Sequence, residues 1–328
     1  MNKTIKRIGV FTSGGDSPGM NACIRAVVRT ALYHGLHVTG IMRGYEGMID
    51  GDFKEMNRDS VSNILHRGGT ILKTARSERF RTEEGMKTAY RALKAERIDA
   101  VVAIGGDGTF RGATEFSSKY DIPFIGVPGT IDNDLFGTDY TIGYDTALNT
   151  VIEAVDKIRD TAQSHDRIFF IEVMGRDAGF IALNAGIAVG SEAILIPETP
   201  TDLQSVADHL EDDWVRKKTS SIVIVAEGEE EGGALKIAEK IKAILPKHFD
   251  IKVTILGHIQ RGGNPTCLDR VLASRLGCAA VEALLKGKHT EMAGLIHDKV
   301  VFTPFAKAVK HHVEPDNELV HLADLLGH

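Results

Sequence analysis

Three short stretches of this chain set hydroxyls and carboxylates among glycines, at spacings that suit the handling of phosphate. Thr12-Ser13-Gly14-Gly15-Asp16-Ser17-Pro18-Gly19 and Gly105-Gly106-Asp107-Gly108-Thr109 each place paired glycines at the end of an apolar run. Glycine lets a backbone come close to an anion, and the unpaired N–H groups of a helix start favour negative charge, so either stretch can cradle phosphate; either can also be no more than a tight turn. Neither is a Walker A loop, since the chain has no GxxxxGK[ST], and neither completes GxGxxG, because Arg111 stands in the place of the last glycine. Asp107, between two glycines, can hold Mg²⁺ against bound phosphates or can cap the helix that follows. The third stretch, Thr130-Ile131-Asp132-Asn133-Asp134, sets two carboxylates two residues apart with no cation immediately beside them in the chain. Like charges so close suit a general base unless arginines or a metal compensate; an Asx-rich turn is the plainer alternative. The candidate cations, Arg76, Arg167, Arg176 and Arg261, all lie elsewhere in the chain.

The elements that must position these loops are legible as short apolar runs, each followed by a glycine-containing turn and then a helical pattern. That is how βαβ units of a parallel sheet appear in sequence. Ile8 to Phe11, Ala100 to Ile104 and Ile122 to Val127 lead into the three loops, and ligands of open α/β sheets collect at such strand ends. After the first loop, Met20, Cys23, Ile24, Val27, Val28, Ala31 and Leu32 fall at helical spacing, with Ser17-Pro18 expected as N-cap and first helical residue and Gly35 as the stop. A second set of strands, Ile168 to Val173, Ala193 to Ile196, Ile222 to Ala226 and Val253 to Leu256, predicts a second, similar lobe, with Tyr144 to Ser164 as the helix that crosses to it. Glu229-Glu230-Glu231 reads as a solvated loop and His311-His312 as a surface pair.

At 328 residues the chain suggests roughly two domains of about 150 residues each. Its 45 acidic and 39 basic residues leave a charge of -6, where a general nucleic-acid or anionic-membrane binder is normally basic. Cys23, Cys267 and Cys278 form no CxxC pair, which supports neither a disulfide framework nor a zinc site and fits a reducing cytoplasm. No apolar run suits a signal peptide or a membrane-spanning helix, so no membrane partner is expected. The 34 glycines are not periodic, which excludes collagen-like and solenoid architectures.

Together, Thr12 to Asp16, Gly105 to Thr109, Pro128-Gly129-Thr130-Ile131-Asp132-Asn133-Asp134, Met174-Gly175-Arg176 and Gly257-His258-Ile259-Gln260-Arg261-Gly262-Gly263 resemble the bacterial ATP-dependent 6-phosphofructokinases, in order from about residue 7 to residue 280. GGDGT alone is shared with NAD kinases and lipid kinases, so a phosphotransferase of that kind is the rival enzyme reading; a non-catalytic sensor of nucleotides or sugar phosphates is the rival of another class. PGTIDND argues against the first, and the presence of Asp107 and Asp132 against the second. The resemblance implies an α/β phosphofructokinase-like fold of two lobes, each a mainly parallel sheet flanked by helices. Residues 1–143 plus 260–310 are expected to bind ATP, and 144–259 plus 311–328 fructose 6-phosphate.

The implied reaction is Mg-ATP-dependent phosphorylation of the 1-hydroxyl of fructose 6-phosphate in glycolysis. Asp132 matches the family's general base, Thr130 and Asp134 flank it, and Arg76 and Arg176 match its catalytic arginines. Gly15, Arg76, Ser77, Gly106, Gly108 and Thr109 match ATP contacts, and Asp107 matches the magnesium-side carboxylate. Thr130, Ile131, Asp132, Arg167, Met174, Gly175, Arg176, Glu227, Lys252, His258, Ile259, Gln260 and Arg261 match the sugar-phosphate site. In the family the cations at positions 167 and 252 reach in from a neighbouring subunit, implying a homotetramer. Lys252 departs from the usual arginine, and a point charge cannot reproduce the guanidinium fork. Pyrophosphate-using relatives carry Asp at the position of Gly108 and Lys at that of Gly129; glycine at both favours ATP. Arg25, Arg29, Arg58, Arg159, Gly190, Glu192, Arg216 and Lys218 match the family's effector site for ADP or phosphoenolpyruvate, where Thr219 and Ser220 replace residues that are often basic, which implies weaker anion affinity; Trp214, on a helical face with Leu203, Val206, Ala207 and Leu210, is expected to be packed.

Overall fold

The fold is known from a computed structural model, which describes residues 5–165, 167–215, 220–308 and 315–327, the side chains at 213 and 214 excepted. The effector candidates Arg216, Lys218 and Thr219, the pair His311-His312 and the side chain of Trp214 lie outside the described residues. Along the chain run β1 (Arg7–Thr12), α1 (Met20–Tyr33), β2 (His37–Ile41), α2 (Gly44–Asp50), β3 (Phe53–Met56), α3 (Glu83–Ala95), β4 (Ala100–Gly105), α4 (Asp107–Lys119), β5 (Phe124–Pro128) and α5 (Tyr144–Gln163). There follow β6 (Arg167–Val173), α6 (Phe180–Val189), β7 (Ala193–Leu195), α7 (Leu203–Val215), β8 (Ser221–Ala226), α8 (Gly233–Ile244), β9 (Asp250–Ile255), α9 (Cys267–Leu285), β10 (Glu291–Ile296), β11 (Lys299–Pro304) and α10 (Asn317–Gly327). Two units result: Met1–Ile131, Leu135–Thr146 and Arg261–His311 form one, and Asp132–Asp134, Ala147–Gln260 and His312–His328 the other.

The first unit is built on a seven-stranded sheet in the order β11-β10-β5-β4-β1-β2-β3. Its interior pairs are parallel, and only β2 with β3 and β10 with β11 are antiparallel. Central strands covered on both faces must be apolar at every position, and β4 is buried throughout. The two faces still sort by the period of two. Ile8, Val10, Val102, Ile104, Ile125 and Val127 pack under α1 and α9, whereas Phe11, Val101, Ala103 and Phe124 face Phe110, Phe116 and Phe305 on the other side. The chain leaves β1 toward β2 and leaves β4 toward β5, so the order reverses between β1 and β4, where open α/β sheets form their binding crevice.

The second unit is a four-stranded parallel sheet, β7-β8-β6-β9. Ile168, Phe170, Val223 and Val225 pack on one face against Ala207 and Leu210 of α7 and Ile237 and Ile241 of α8. The carboxyl ends of its neighbouring strands β8, β6 and β9 carry Glu227, Met174-Gly175-Arg176 and the turn into Gly257.

Two local expectations are corrected. Ser17-Pro18 does not cap α1: Met20 N–H closes a turn on the Ser17 carbonyl at 3.3 Å, and the cap position falls to Gly19, whose φ of 106° is open to glycine. Ser17 is fully enclosed against Gly143, and its hydroxyl makes no hydrogen bond to the helix start. The Glu229–Glu231 run is not simply solvated. Glu229 is buried and its Oε2 accepts the N–H of Glu231 at 2.6 Å, while Glu231 pairs with Lys240; the turn between β8 and α8 folds back on its own carboxylate. Among the described residues, no helix is long and apolar enough to cross a membrane.

Candidate active site

In the first unit the loops that follow β1, β4 and β5 lie side by side because their strands do. Ser13 N–H donates to the Ile104 carbonyl at 3.0 Å, and Gly129 N–H donates to the Gly105 carbonyl at 3.0 Å. A side chain at Gly106 would stand 3.7 Å from Thr130 Cβ, and one at Gly14 would stand 3.9 Å from Thr109 Oγ1. Gly15 is close-packed for a different reason. Arg261, nearly enclosed, donates from Nη1 to the Asp16 carbonyl at 3.2 Å, and a Cβ at Gly15 would run into that nitrogen. Sequence reasoning separates Arg261 from the first glycine loop; the structure puts them in contact.

Asp107 opens α4 as its first residue, with Gly106 at the cap position, so it is not itself the capping side chain. Its Oδ1 accepts from Arg111 Nε at 2.9 Å. Gly108 lies in ordinary helical backbone, and a Cβ built there meets nothing within 4 Å. The stretch that carries Arg76 and Ser77 is laced to the first loop. Thr12 Oγ1 donates to the Lys73 carbonyl at 2.9 Å, and Thr74 Oγ1 donates to the Gly14 carbonyl at 2.6 Å. Arg76 is exposed, whereas the Ser77 hydroxyl donates to Glu46, whose Oε1 also accepts from Arg79 Nη1 at 2.6 Å. Those bonds, Ser77 first and then Arg79, hold the Glu46 carboxyl below its ordinary value. Sequence reasoning missed Glu46, because nothing near it in the chain marks it.

In the second unit, Asp132 meets a cation after all. Arg176 Nε lies 3.5 Å from Asp132 Oδ2, with the Asp132 side chain 5% and the Arg176 side chain 51% exposed. Arg176 holds φ at 57°, a left-handed conformation that costs a non-glycine residue on the order of 1 kcal/mol. What fixes it is Glu227, whose Oε1 accepts the N–H of Arg176 at 2.7 Å and of Gly175 at 3.4 Å. Gln260 is fully buried and tied internally, accepting the Met174 N–H at 3.1 Å and donating to the Gly257 carbonyl at 3.0 Å. Its neighbours His258 and Ile259 are exposed.

Arg167 and Lys252 share one acceptor: Arg167 Nε and Lys252 Nζ reach Asp250 at 2.7 and 2.8 Å, and these bonds hold the Asp250 carboxyl below its ordinary value. Of the effector candidates, Arg25, Arg29 and Arg58 belong to the first unit, and Arg159, Gly190, Glu192 and Ser220 to the second. Arg159 donates to the carbonyls of Val189 and Gly190, the latter at 3.4 Å. Glu192 is buried and accepts the N–H of Ile222, so its carboxylate serves the start of β8.

The chain is similar to known proteins over nearly its whole length. A family model described as phosphofructokinase matches residues 7–284. The chain is 56% identical to ATP-dependent 6-phosphofructokinase 2 of Bacteroides thetaiotaomicron over 97% of its own length and 98% of that protein's. It is likewise 56% identical to ATP-dependent 6-phosphofructokinase 1 of Thermus thermophilus, covering 98% of this chain and 100% of that one. Among solved structures, phosphofructokinase from Saccharomyces cerevisiae superposes with a TM-score of 0.88 at 38% identity; the match covers 93% of this chain but spans only 45% of the yeast chain. A pyrophosphate-dependent phosphofructokinase from Marinobacter aquaeolei shares the fold with a TM-score of 0.83 at 24% identity, over 98% of this chain and 91% of that one. With the glycine loops gathered at one sheet's switch point and these likenesses extending from end to end, the chain belongs to the phosphofructokinase family.

Proposed function

We propose that this protein transfers the γ-phosphoryl group of Mg-ATP to the 1-hydroxyl of fructose 6-phosphate, yielding fructose 1,6-bisphosphate. The observation that carries the proposal is the enclosed Asp132 carboxylate with Arg176 at 3.5 Å, on a loop whose sequence matches the family's catalytic one. A sugar hydroxyl is a poor nucleophile until its proton leaves, and Asp132 is the acceptor for it. Arg176, held out by Glu227 in an unfavourable backbone conformation, is the cation for charge on the transferred group, as is the exposed Arg76. Thr130 and Asp134 complete the loop.

The first unit is the ATP-binding one in this reading. The amides at the start of α4 and the Gly14-Gly15 turn would receive the phosphates, with Ser77, Gly106 and Thr109 around them. Among the described residues no group of three or more His, Cys, Asp or Glu side chains could cage a metal. A single carboxylate at a helix start fits Mg²⁺, which keeps waters and takes phosphate oxygens rather than an all-protein shell, so Asp107 is the residue that would hold it. Bound there, the ion would offset polyphosphate charge.

Arg167, Lys252, His258 and Arg261 supply positive charge for the sugar phosphate, with Met174, Gly175 and Glu227 at the sugar. The first two come from a neighbouring copy in a homotetramer, in the cytoplasm. ATP rather than pyrophosphate is the donor, because glycine at 108 keeps the space above α4 clear. Incubation with fructose 6-phosphate and Mg²⁺ plus either ATP or pyrophosphate tests the reading by following fructose 1,6-bisphosphate. Turnover with ATP alone is expected; turnover with pyrophosphate alone, or with neither, would overturn it.

A further inference from the structure

We infer that Asp269 is a positioning residue for Thr130: its buried carboxylate, carried on α9, pins the start of α5 and so fixes the neck of the loop that Thr130 opens. This rests on the functional reading above. Asp269 has no exposed surface. Its Oδ1 accepts the N–H of Gly143 at 2.7 Å, and its Oδ2 accepts the N–H of Thr146 at 2.8 Å and the Thr146 hydroxyl at 2.5 Å. These are the orphan donors of a helix start, which a local Ser, Thr or Asp ordinarily satisfies. The residue before α5 is Gly143, which has no side chain, so the cap is delivered from another helix.

The two helix starts are tied reciprocally. Thr266, the cap of α9, accepts the N–H of Asp269 at 3.3 Å and donates to Asp145 at 2.5 Å, while its own N–H donates to Thr146 Oγ1 at 3.0 Å. One residue from the pinned Gly143, the neck closes. Ile142 N–H donates to the Pro128 carbonyl at 2.9 Å and pairs across to Gly129, and Thr141 Oγ1 donates to the Thr130 carbonyl at 2.6 Å. Ile142 and Thr141 are fully enclosed. The route from carboxylate to Thr130 is therefore short, buried and made of directed bonds, and Asp132 follows Thr130 by two residues in the chain. Burial pushes the Asp269 carboxyl above its ordinary value while the Thr146 and Gly143 bonds pull it back, so the group is held against its own desolvation.

Asp269→Asn keeps the shape but offers one acceptor oxygen, turning an NH₂ group toward the N–H of either Gly143 or Thr146. Thr141→Val removes the hydroxyl that ties the neck to the Thr130 carbonyl. Small displacements of positioned groups can cost on the order of 100-fold in rate, so kcat should fall by about 10- to 100-fold in D269N, and measurably in T141V, with the KM for ATP changed less than about threefold. Because both act on one neck, the double variant should lose less than the product of the two. The assays are run well below each variant's melting midpoint, where a merely structural loss leaves kcat unmoved. A folded D269N with wild-type kcat overturns the inference; if D269N does not fold, wild-type kcat in T141V overturns it. Absence of ATP-dependent turnover in the wild type defeats the functional reading instead.

Discussion

Asp132 and Arg176 form a pair to which the proposed reaction assigns the proton acceptor and a cation. Asp132→Asn replaces the proton-accepting oxygen by a donor, so kcat should drop by on the order of 10²- to 10⁴-fold while fructose 6-phosphate and ATP still bind. Steady-state kinetics on the folded variant check this, and a near-normal kcat removes Asp132 from the base role. Glu46 makes a prediction of another kind. Its folded carboxyl titrates below its ordinary value because Ser77 and Arg79 bond the charged form, so it contributes stability above the ordinary carboxylate range and loses it as pH falls through the lowered value. The difference in urea midpoint between wild type and Glu46→Gln should thus be largest near neutrality and shrink steadily below about pH 4.5. A gap that does not change with pH would show that the carboxylate's charge is not what tethers Ser77.

Among the elements, α4 separates folding from binding most cleanly. Gly108 is in its first turn with open space where a side chain would stand, and an acidic residue near a helix N-terminus is favourable, so Gly108→Asp should leave stability within about 1 kcal/mol of wild type. If the start of α4 receives the nucleotide's phosphates as proposed, the same carboxylate would project over them and the KM for ATP should rise. A thermal melt and an ATP titration test the two halves independently; an unchanged KM defeats the steric account of donor choice. The start of α9 shows how an element can be legible while its role is not. Thr266-Cys267-Leu268-Asp269 has the spacing of a capping box, and Thr266 does cap, yet the acidic partner turns away to α5.

For the whole molecule the open matter is regulation. Arg25 and Arg29 stand one turn apart on α1, the first half-buried and the second exposed, while the residues between them are buried. If these arginines bind an anionic effector, millimolar ADP or phosphoenolpyruvate should shift the fructose 6-phosphate saturation curve, and Arg25→Ala should abolish the shift while sparing kcat at saturation. Rates measured across fructose 6-phosphate concentrations with and without each effector decide it; wild-type curves that do not move return the arginines to a solvated face. The sequence by itself determined the α/β class, the strands β1 and β4 to β9, and the loops at their ends, because apolar periodicity and glycine turns are written in neighbouring residues. Strands β2, β3, β10 and β11, the outer two at each end of the first sheet, escaped it, being defined by what they pair with. Only the tertiary structure decided that Arg176 is the cation on Asp132, that Arg261 closes on Gly15, that Glu46 holds Ser77, and that Asp269 caps a helix other than its own. Each of those is a choice of partner by a polar side chain, and the choice is made by which strand ends and helix starts the packing brings within hydrogen-bond reach, at separations along the chain that no local pattern records.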